Sequence, residues 1–188
     1  MNILIVKLSA IGDVIHVLPS LTALRKLYPD AHITWVIEEA AADLIIGHPD
    51  LDRILVSGRK AWLEDLRRGE IGRASHSLRR FVRQLRDRHY DIVIDFHGLF
   101  KSAVIVALSR GERKIGYDSI QELSGLFYNE RIPEDMCKHA VDRYLDFIRY
   151  LNGNAELPDP VQFCIPVDPA NRRREVAQRR RRRRIRCG

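Results

Sequence analysis

The stretch NILIVKLSAIGDVIHVLPSLTALRKLYPDAHITWVI, residues 2–37, decides the fold. Asn2–Leu8 is a short, branched, nearly continuous apolar run that stops at Ser9-Ala-Ile-Gly-Asp13, the pattern of a buried strand followed by a loop. Val14, Val17, Leu18, Leu21, Leu24 and Tyr28 then recur at helical spacing, and Tyr28-Pro-Asp ends the segment. Asp13 reads as the N-cap of this helix, with Pro19 early in it. Ile33–Ile37 is a second strand.

The same alternation continues outward. Ala40–Ile46 reads as helical and Arg53–Val56 as a third strand, which gives β-α-β-α-β. Gly58–Gly72 is polar and rich in Arg, Lys and Gly, and reads as a mobile connection with about one helical turn. The helical period returns at His76, with Leu78, Phe81, Val82 and Leu85 on one face and Arg79, Arg80, Arg83 and Arg86 on the other. Asp91–Phe96 is the clearest strand in the chain, Lys101–Ser109 the helix after it, and Lys114–Tyr117 a short fifth strand. Helices are predicted over 121–127 and from near Lys138 to Leu151. Strands alternating with helices imply an α/β fold, a parallel sheet with helices on both faces. Ligands of such sheets sit beyond the carboxyl ends of the strands, so Ser9–Asp13, Ser57–Trp62 and His97–Lys101 should converge.

The chain has 188 residues, 45% hydrophobic and 30% charged, which suits one domain of common size. Its formal charge is +7, but ten of its 32 basic residues are arginines between Arg172 and Arg186. The other 22 face 24 acids over residues 1–171, a net −2, so the pI near 9.6 does not describe a basic folded domain and no specific nucleic-acid partner is expected. Cys137, Cys164 and Cys187 form no C-x-x-C or His-paired pattern, so neither a disulfide framework nor a metal site is predicted. The apolar runs fall short of the roughly 18 residues that cross a bilayer, and Lys7 and Asp13 interrupt any secretory signal. These features fit a cytoplasmic protein. Pro158, Pro160, Pro166 and Pro169 mark a linker over 158–171. Residues 172–188 read as a solvated, disordered tail or as the product of an out-of-frame reading, with a nucleic-acid-binding basic arm as the functional alternative.

The loop Lys7–Asp13 joins the first strand to the first helix and turns backbone N–H groups toward any anion. It carries one glycine, Gly12, and so lacks both the dinucleotide and the P-loop fingerprints. Asp13 has two readings at this point, an N-cap or a carboxylate free to accept a proton.

Residues 3–39 resemble the opening of the lipopolysaccharide heptosyltransferases, glycosyltransferase family 9, and lie nearest its type I members. His48-Pro49, Gly58-Arg-Lys-Ala-Trp62, Tyr90-Asp-Ile-Val-Ile-Asp-Phe-His-Gly-Leu-Phe-Lys-Ser102, Leu126-Phe-Tyr-Asn129 and His139-Ala-Val-Asp-Arg143 follow in that family's order, so the resemblance covers about residues 1–151. It implies the N-terminal, acceptor-binding, Rossmann-like half of a GT-B glycosyltransferase, here residues 1–157. The donor, ADP-heptose, would be held mainly by a C-terminal domain that this sequence lacks, and activity of this chain alone is not expected.

By the same resemblance Asp13 is the base of an inverting transfer of L-glycero-D-manno-heptose to Kdo-lipid A in inner-core synthesis. Ser9 and Gly12 line its turn, and Arg59, Lys60, His97, Gly98 and Lys101 contact the anionic acceptor. No cofactor is implied, and the lipid-linked acceptor implies peripheral association with the inner face of the bacterial inner membrane. His139 matches a family motif or simply caps the last helix, and none of His16, His97 and His139 has a second metal-type residue at i+4. An acceptor-binding module without catalysis is the alternative for the domain as a whole.

Overall fold

A computed structural model describes residues 1–118, 125–155 and 157. Among these residues six strands, β1 (Asn2–Val6), β2 (His32–Glu38), β3 (Arg53–Ser57), β4 (Tyr90–Asp95), β5 (Gly111–Tyr117) and β6 (Glu130–Ile132), form one sheet in the order β3-β2-β1-β4-β5-β6. Every pairing is parallel. This is the doubly wound Rossmann-like order, and the sheet turns from one winding direction to the other between β1 and β4.

Among the described residues, six helices cover the sheet: α1 (Ile11–Leu27), α2 (Glu39–Ala42), α3 (Arg59–Arg67), α4 (Ile71–Leu85), α5 (Phe100–Leu108) and α6 (Ala140–Leu151). Successive residues of β1 face opposite ways. Ile3 and Ile5 join Ile33, Trp35, Ile94 and Phe96 under α1 and α6, while Leu4 and Val6 join Val36, Val93 and Phe81 under α4 and α5. Both sheet faces are thus dry, which is why the strand sequences read as unbroken apolar runs.

Several sequence expectations are corrected. Gly58–Gly72 is no mobile connection, since α3 fills most of it and α4 begins at Ile71 rather than His76. None of the nine α3 residues is buried: Trp62, Leu63 and Leu66 share one side of the helix but stay partly or largely exposed. It is held instead by good helix formers and by Trp62, whose ring lies 5.4 Å from that of Phe81. Helix α2 is one turn followed by turns to residue 47, and Pro19 sits in the middle of α1. Asp13 is not the N-cap: Ala10 holds that place, and Asp13 reaches back from the third helical position to the Ala10 N–H at 3.4 Å. The fifth strand starts at Gly111, and β6 was not foreseen. His139 does cap α6, its Nδ1 accepting from the Val141 N–H at 3.3 Å. Of the helix predicted over 121–127, residues 125–127 form a short 3₁₀ turn and 121–124 lie outside the described residues, as do the linker and the tail.

Gly116, on β5, lies against Tyr128, and a Cβ there would run into the tyrosine ring. Gly72, in α4, has open space at the same point. Gly116→Ala should therefore destabilise the chain by about 1–3 kcal/mol, whereas Gly72→Ala should be neutral or stabilising by up to about 1 kcal/mol. Urea unfolding of the two variants checks the opposite signs.

Candidate active site

Beyond the carboxyl ends of β1 and β4 the two loops diverge, and the crevice between them collects most of the candidate residues. The chain past β1 stays tied to β2, the Lys7 N–H donating to the Val36 carbonyl at 3.2 Å and the Glu38 N–H to the Leu8 carbonyl at 3.0 Å. The buried Trp35 indole adds a bond to the Lys7 carbonyl at 3.1 Å.

Lys7 itself points inward. Its ammonium donates to the Tyr144 hydroxyl at 2.8 Å and to the Phe96 carbonyl at 3.2 Å, and it pairs with Asp13 Oδ2 at 3.5 Å. Burial holds this lysine below the usual lysine range, and the Asp13 carboxylate works against that shift. The Lys7 side chain is 4% exposed and that of Asp13 48%. Both contacts of Asp13 fall on Oδ2, so Oδ1 has no protein partner among the described residues.

A second pairing lies one strand over. Glu38, at the end of β2, is 5% exposed and accepts from Arg59 Nε at 3.2 Å and Nη2 at 3.1 Å. Lys101, from the first turn of α5, stands 4.0 Å from the same carboxylate oxygen and donates to the Ser9 hydroxyl at 3.2 Å. Arg59, Glu38, Lys101 and Ser9 thus form a chain of contacts across three loops.

The third cluster fixes the turn after β4. Asp95 is fully buried and accepts from the His97 N–H at 2.8 Å, the Gly98 N–H at 3.2 Å and the Tyr128 hydroxyl at 2.7 Å. Burial pushes its carboxyl above the usual range, and those donors oppose the shift. Gly98 has φ +69°, a left-handed conformation that favours glycine. Neither ring nitrogen of His97 has a partner at hydrogen-bond geometry, and the Ser9 backbone lies alongside. Burial first, then the Lys7 and Lys101 cations, pull the imidazole down to about 3, so it is neutral at ordinary pH.

The structure therefore joins Ser9, Asp13, Arg59, His97, Gly98 and Lys101 around one crevice. Gly12 is in the same turn, but a Cβ there would meet nothing, so the protein alone does not demand glycine. Lys60 is exposed and lines a neighbouring hollow of about 220 Å³ with Glu38, Glu39 and Ser57. A hollow of about 740 Å³ lies elsewhere, beside β6 and α6, where Lys138 and Arg149 are already paired with Asp146. Sequence reasoning missed Lys7, Glu38, Asp95, Tyr128 and Tyr144 as site residues. A charge set within or ending an apolar strand, as in LIVK, ITWVIE and DIVIDF, is the signal that marks the first three.

With this geometry in hand, comparison with known proteins is decisive. The model of glycosyltransferase family 9 (heptosyltransferase) matches residues 78–185, more than half of the sequence. The chain belongs to that family. The family 9 chain is 35% identical over 150 residues to lipopolysaccharide heptosyltransferase 1 of Pseudomonas aeruginosa, a match covering 76% of this chain and 40% of the relative. The Escherichia coli K12 protein of the same name is likewise 35% identical, with 76% and 45% covered. The structure of Escherichia coli heptosyltransferase WaaC with ADP-2-deoxy-2-fluoro heptose superposes with a TM-score of 0.77 at 31% identity, covering 87% of this chain and 52% of WaaC. This family 9 chain thus spans less than half the length of these curated relatives, and its Rossmann-like sheet is the architecture of half a GT-B glycosyltransferase. The family match runs past residue 151, where the resemblance read from sequence stopped.

The neutral state of His97 gives a pH prediction. An unfolded histidine binds its proton near pH 6.5 and the folded one near 3, so in that window the unfolded chain holds more protons and stability falls as the pH drops. Asp95 acts with the opposite sign, since its raised carboxyl takes up a proton first in the folded state. His97→Gln removes only the first contribution. The variant should therefore lose less stability than the parent between pH 6.5 and 4, by a slope of up to about one proton. Urea unfolding at several pH values measures both slopes, and equal slopes would exclude a buried neutral imidazole.

Proposed function

We propose that residues 1–157 form the acceptor-binding half of an inverting heptosyltransferase that moves L-glycero-D-manno-heptose from ADP-heptose to a Kdo hydroxyl of Kdo-lipid A. The observation that carries the reading is Asp13: a half-exposed carboxylate, anchored through one oxygen at the switch point of a doubly wound sheet, with its other oxygen unpartnered. An aspartate is a weak base, so holding it against the hydroxyl matters more than its basicity. As the acceptor oxygen attacks the anomeric carbon, the bond to the ADP phosphate breaks on the opposite face. The hydroxyl proton passes to Asp13 Oδ1, and ADP leaves with the bonding electrons. The configuration at the anomeric carbon inverts.

The acceptor carries carboxylates and phosphates. Arg59 and Lys101 offer cations at the crevice, Arg59 able to fork onto a carboxylate and Lys101 serving as a point charge. Lys60 adds charge at the edge, and the open space over Gly12 lets a ligand approach the backbone. His97, neutral, is suited to donate or accept a single hydrogen bond rather than to pair with an anion. The N-terminal end of α1 adds positive potential beside the place where phosphate charge develops. In this reading residues 158–171 link to a donor-binding domain, no cofactor takes part, and the protein works peripherally at the inner face of the inner membrane. No helix among the described residues is long and apolar enough to cross a membrane.

The test joins residues 1–157 in frame to the second half of the Escherichia coli relative and follows release of ADP from ADP-heptose with Kdo-lipid A as acceptor. Asp13→Ala should lower turnover by roughly 10²–10⁴-fold and leave donor affinity unchanged. Retained turnover would remove the base from the scheme.

A further inference from the structure

Arg59 opens α3, a place where a cation is disfavoured. A helix N-terminus carries positive partial charge, Lys60 follows directly, and the first turn of α3 has no acid. Gly58, the N-cap, offers no side-chain acceptor. An arginine held there needs an anion from another element, and Glu38 supplies it.

Glu38 is well placed for this by its backbone. It pairs with Ser57 in the register of β2 and β3, two residues before Arg59, and its N–H is bonded to the Leu8 carbonyl. The carboxylate then takes the guanidinium from the side, through Nε and Nη2 onto Oε1. A guanidinium has a second edge, made by Nη1 and the outer Nη2 hydrogen, and that end-on edge can fork onto a carboxylate or phosphate while the side edge is engaged. No described residue occupies it, and the Arg59 side chain is 36% exposed. The same Glu38 oxygen lies 4.0 Å from Lys101, which faces Ser9.

We infer that Glu38 is a positioning residue: it grips the inner edge of Arg59 so that the outer edge is presented to an acceptor anion, and its charge offsets Arg59 and Lys101 until that anion arrives. Its charge thus weakens anion binding while its oxygen atom sets the geometry, and substitution can separate the two effects. Glu38→Gln keeps an acceptor oxygen and loses the charge. Glu38→Ala loses both. The inference rests on the proposed acceptor only for the identity of the anion.

Two readouts on the full chain test it. In ¹⁵N spectra the Arg59 Nε–H, assigned by its loss in Arg59→Lys, should be a distinct, exchange-protected signal in the parent and in Glu38→Gln, and should merge with the solvent-exposed arginines in Glu38→Ala. Titration with free Kdo at low salt should show Glu38→Gln binding roughly two- to fivefold tighter than the parent, an advantage that shrinks as salt is added. Glu38→Ala should bind more weakly than Glu38→Gln. An Arg59 signal unaffected by Glu38→Ala, or a Glu38→Gln affinity equal to or below the parent's, would overturn the inference. The isosteric Glu38→Gln chain carries the test if Glu38→Ala does not fold. Failure of the parent and of Glu38→Gln to bind Kdo, with the Arg59 signal behaving as described, would sink the acceptor assignment and leave the grip of Glu38 on Arg59 standing.

Discussion

The buried ammonium of Lys7 is the point on which the site depends. It leaves the end of β1, meets the Phe96 carbonyl beyond β4 and the Tyr144 hydroxyl of α6, and faces Asp13 in α1. A charge taken out of water is costly unless hydrogen bonds and an opposite charge replace its hydration. Here the replacements come from three separate segments, so the lysine can be satisfied only when β4, α6 and α1 are all in place. The Tyr144 ring, 4.8 Å from the ammonium, adds a cation–π contact, and burial with the nearby Asp13 charge pushes its hydroxyl up to about 12, which keeps it a neutral donor and acceptor. The fold's closure and the placing of Asp13 are thus one event.

How the site was legible in the sequence follows from the range of the forces involved. Strands β1, β2 and β4 could be read because each is buried on both faces and so is apolar almost throughout. The glycine and polar turns after them could be read because local backbone geometry dictates residue type. Helix α3 escaped because nothing on it is buried and its three large apolar residues, Trp62, Leu63 and Leu66, are set among charged ones, so its formation depends on propensity and on packing against α4 through Trp62 and Phe81. Strand β6 is three residues long and carries two charged side chains, and what makes it a strand is the edge of β5 waiting beside it. Among site residues, those on loops after strands were found, and those whose part is to be buried were not. Tyr128 and Tyr144 look like ordinary core aromatics in one dimension. Only the fold brings their hydroxyls to Asp95 and Lys7.

Two ion pairs at the crevice share a form. Lys7 lies inside and Asp13 outside, and Glu38 lies inside with Arg59 outside. The inner member is fixed by backbone and core contacts and cannot follow a ligand. The outer member keeps one polar edge free: Oδ1 of Asp13 and the end-on edge of Arg59. The signs are opposite, so the crevice presents a carboxylate oxygen and a guanidinium edge, each on a side chain already engaged on its inner side. Were Asp13 and Arg59 to pair directly, both free edges would be lost, and with them the proton transfer and anion recognition proposed for the site.

Asp95 completes this arrangement from below. Among the described residues it has no ion pair and is satisfied by backbone N–H groups and the Tyr128 and Ser102 hydroxyls, so it shapes the His97–Gly98 turn without adding a pair to the crevice. That turn sets the start of α5, and with it the Lys101 side chain that reaches across to Ser9. Moving Asp95 would therefore displace a cation several residues away, and the close fit of Tyr128 over Gly116 holds the hydroxyl that keeps Asp95 where it is. The route from a glycine on β5 to the charge balance of the crevice runs entirely through packed or hydrogen-bonded atoms. Geometry at the site is consequently a property of the sheet as a whole, and a loop transplanted without its supporting tyrosines and buried carboxylates would keep the residue types and lose the alignment.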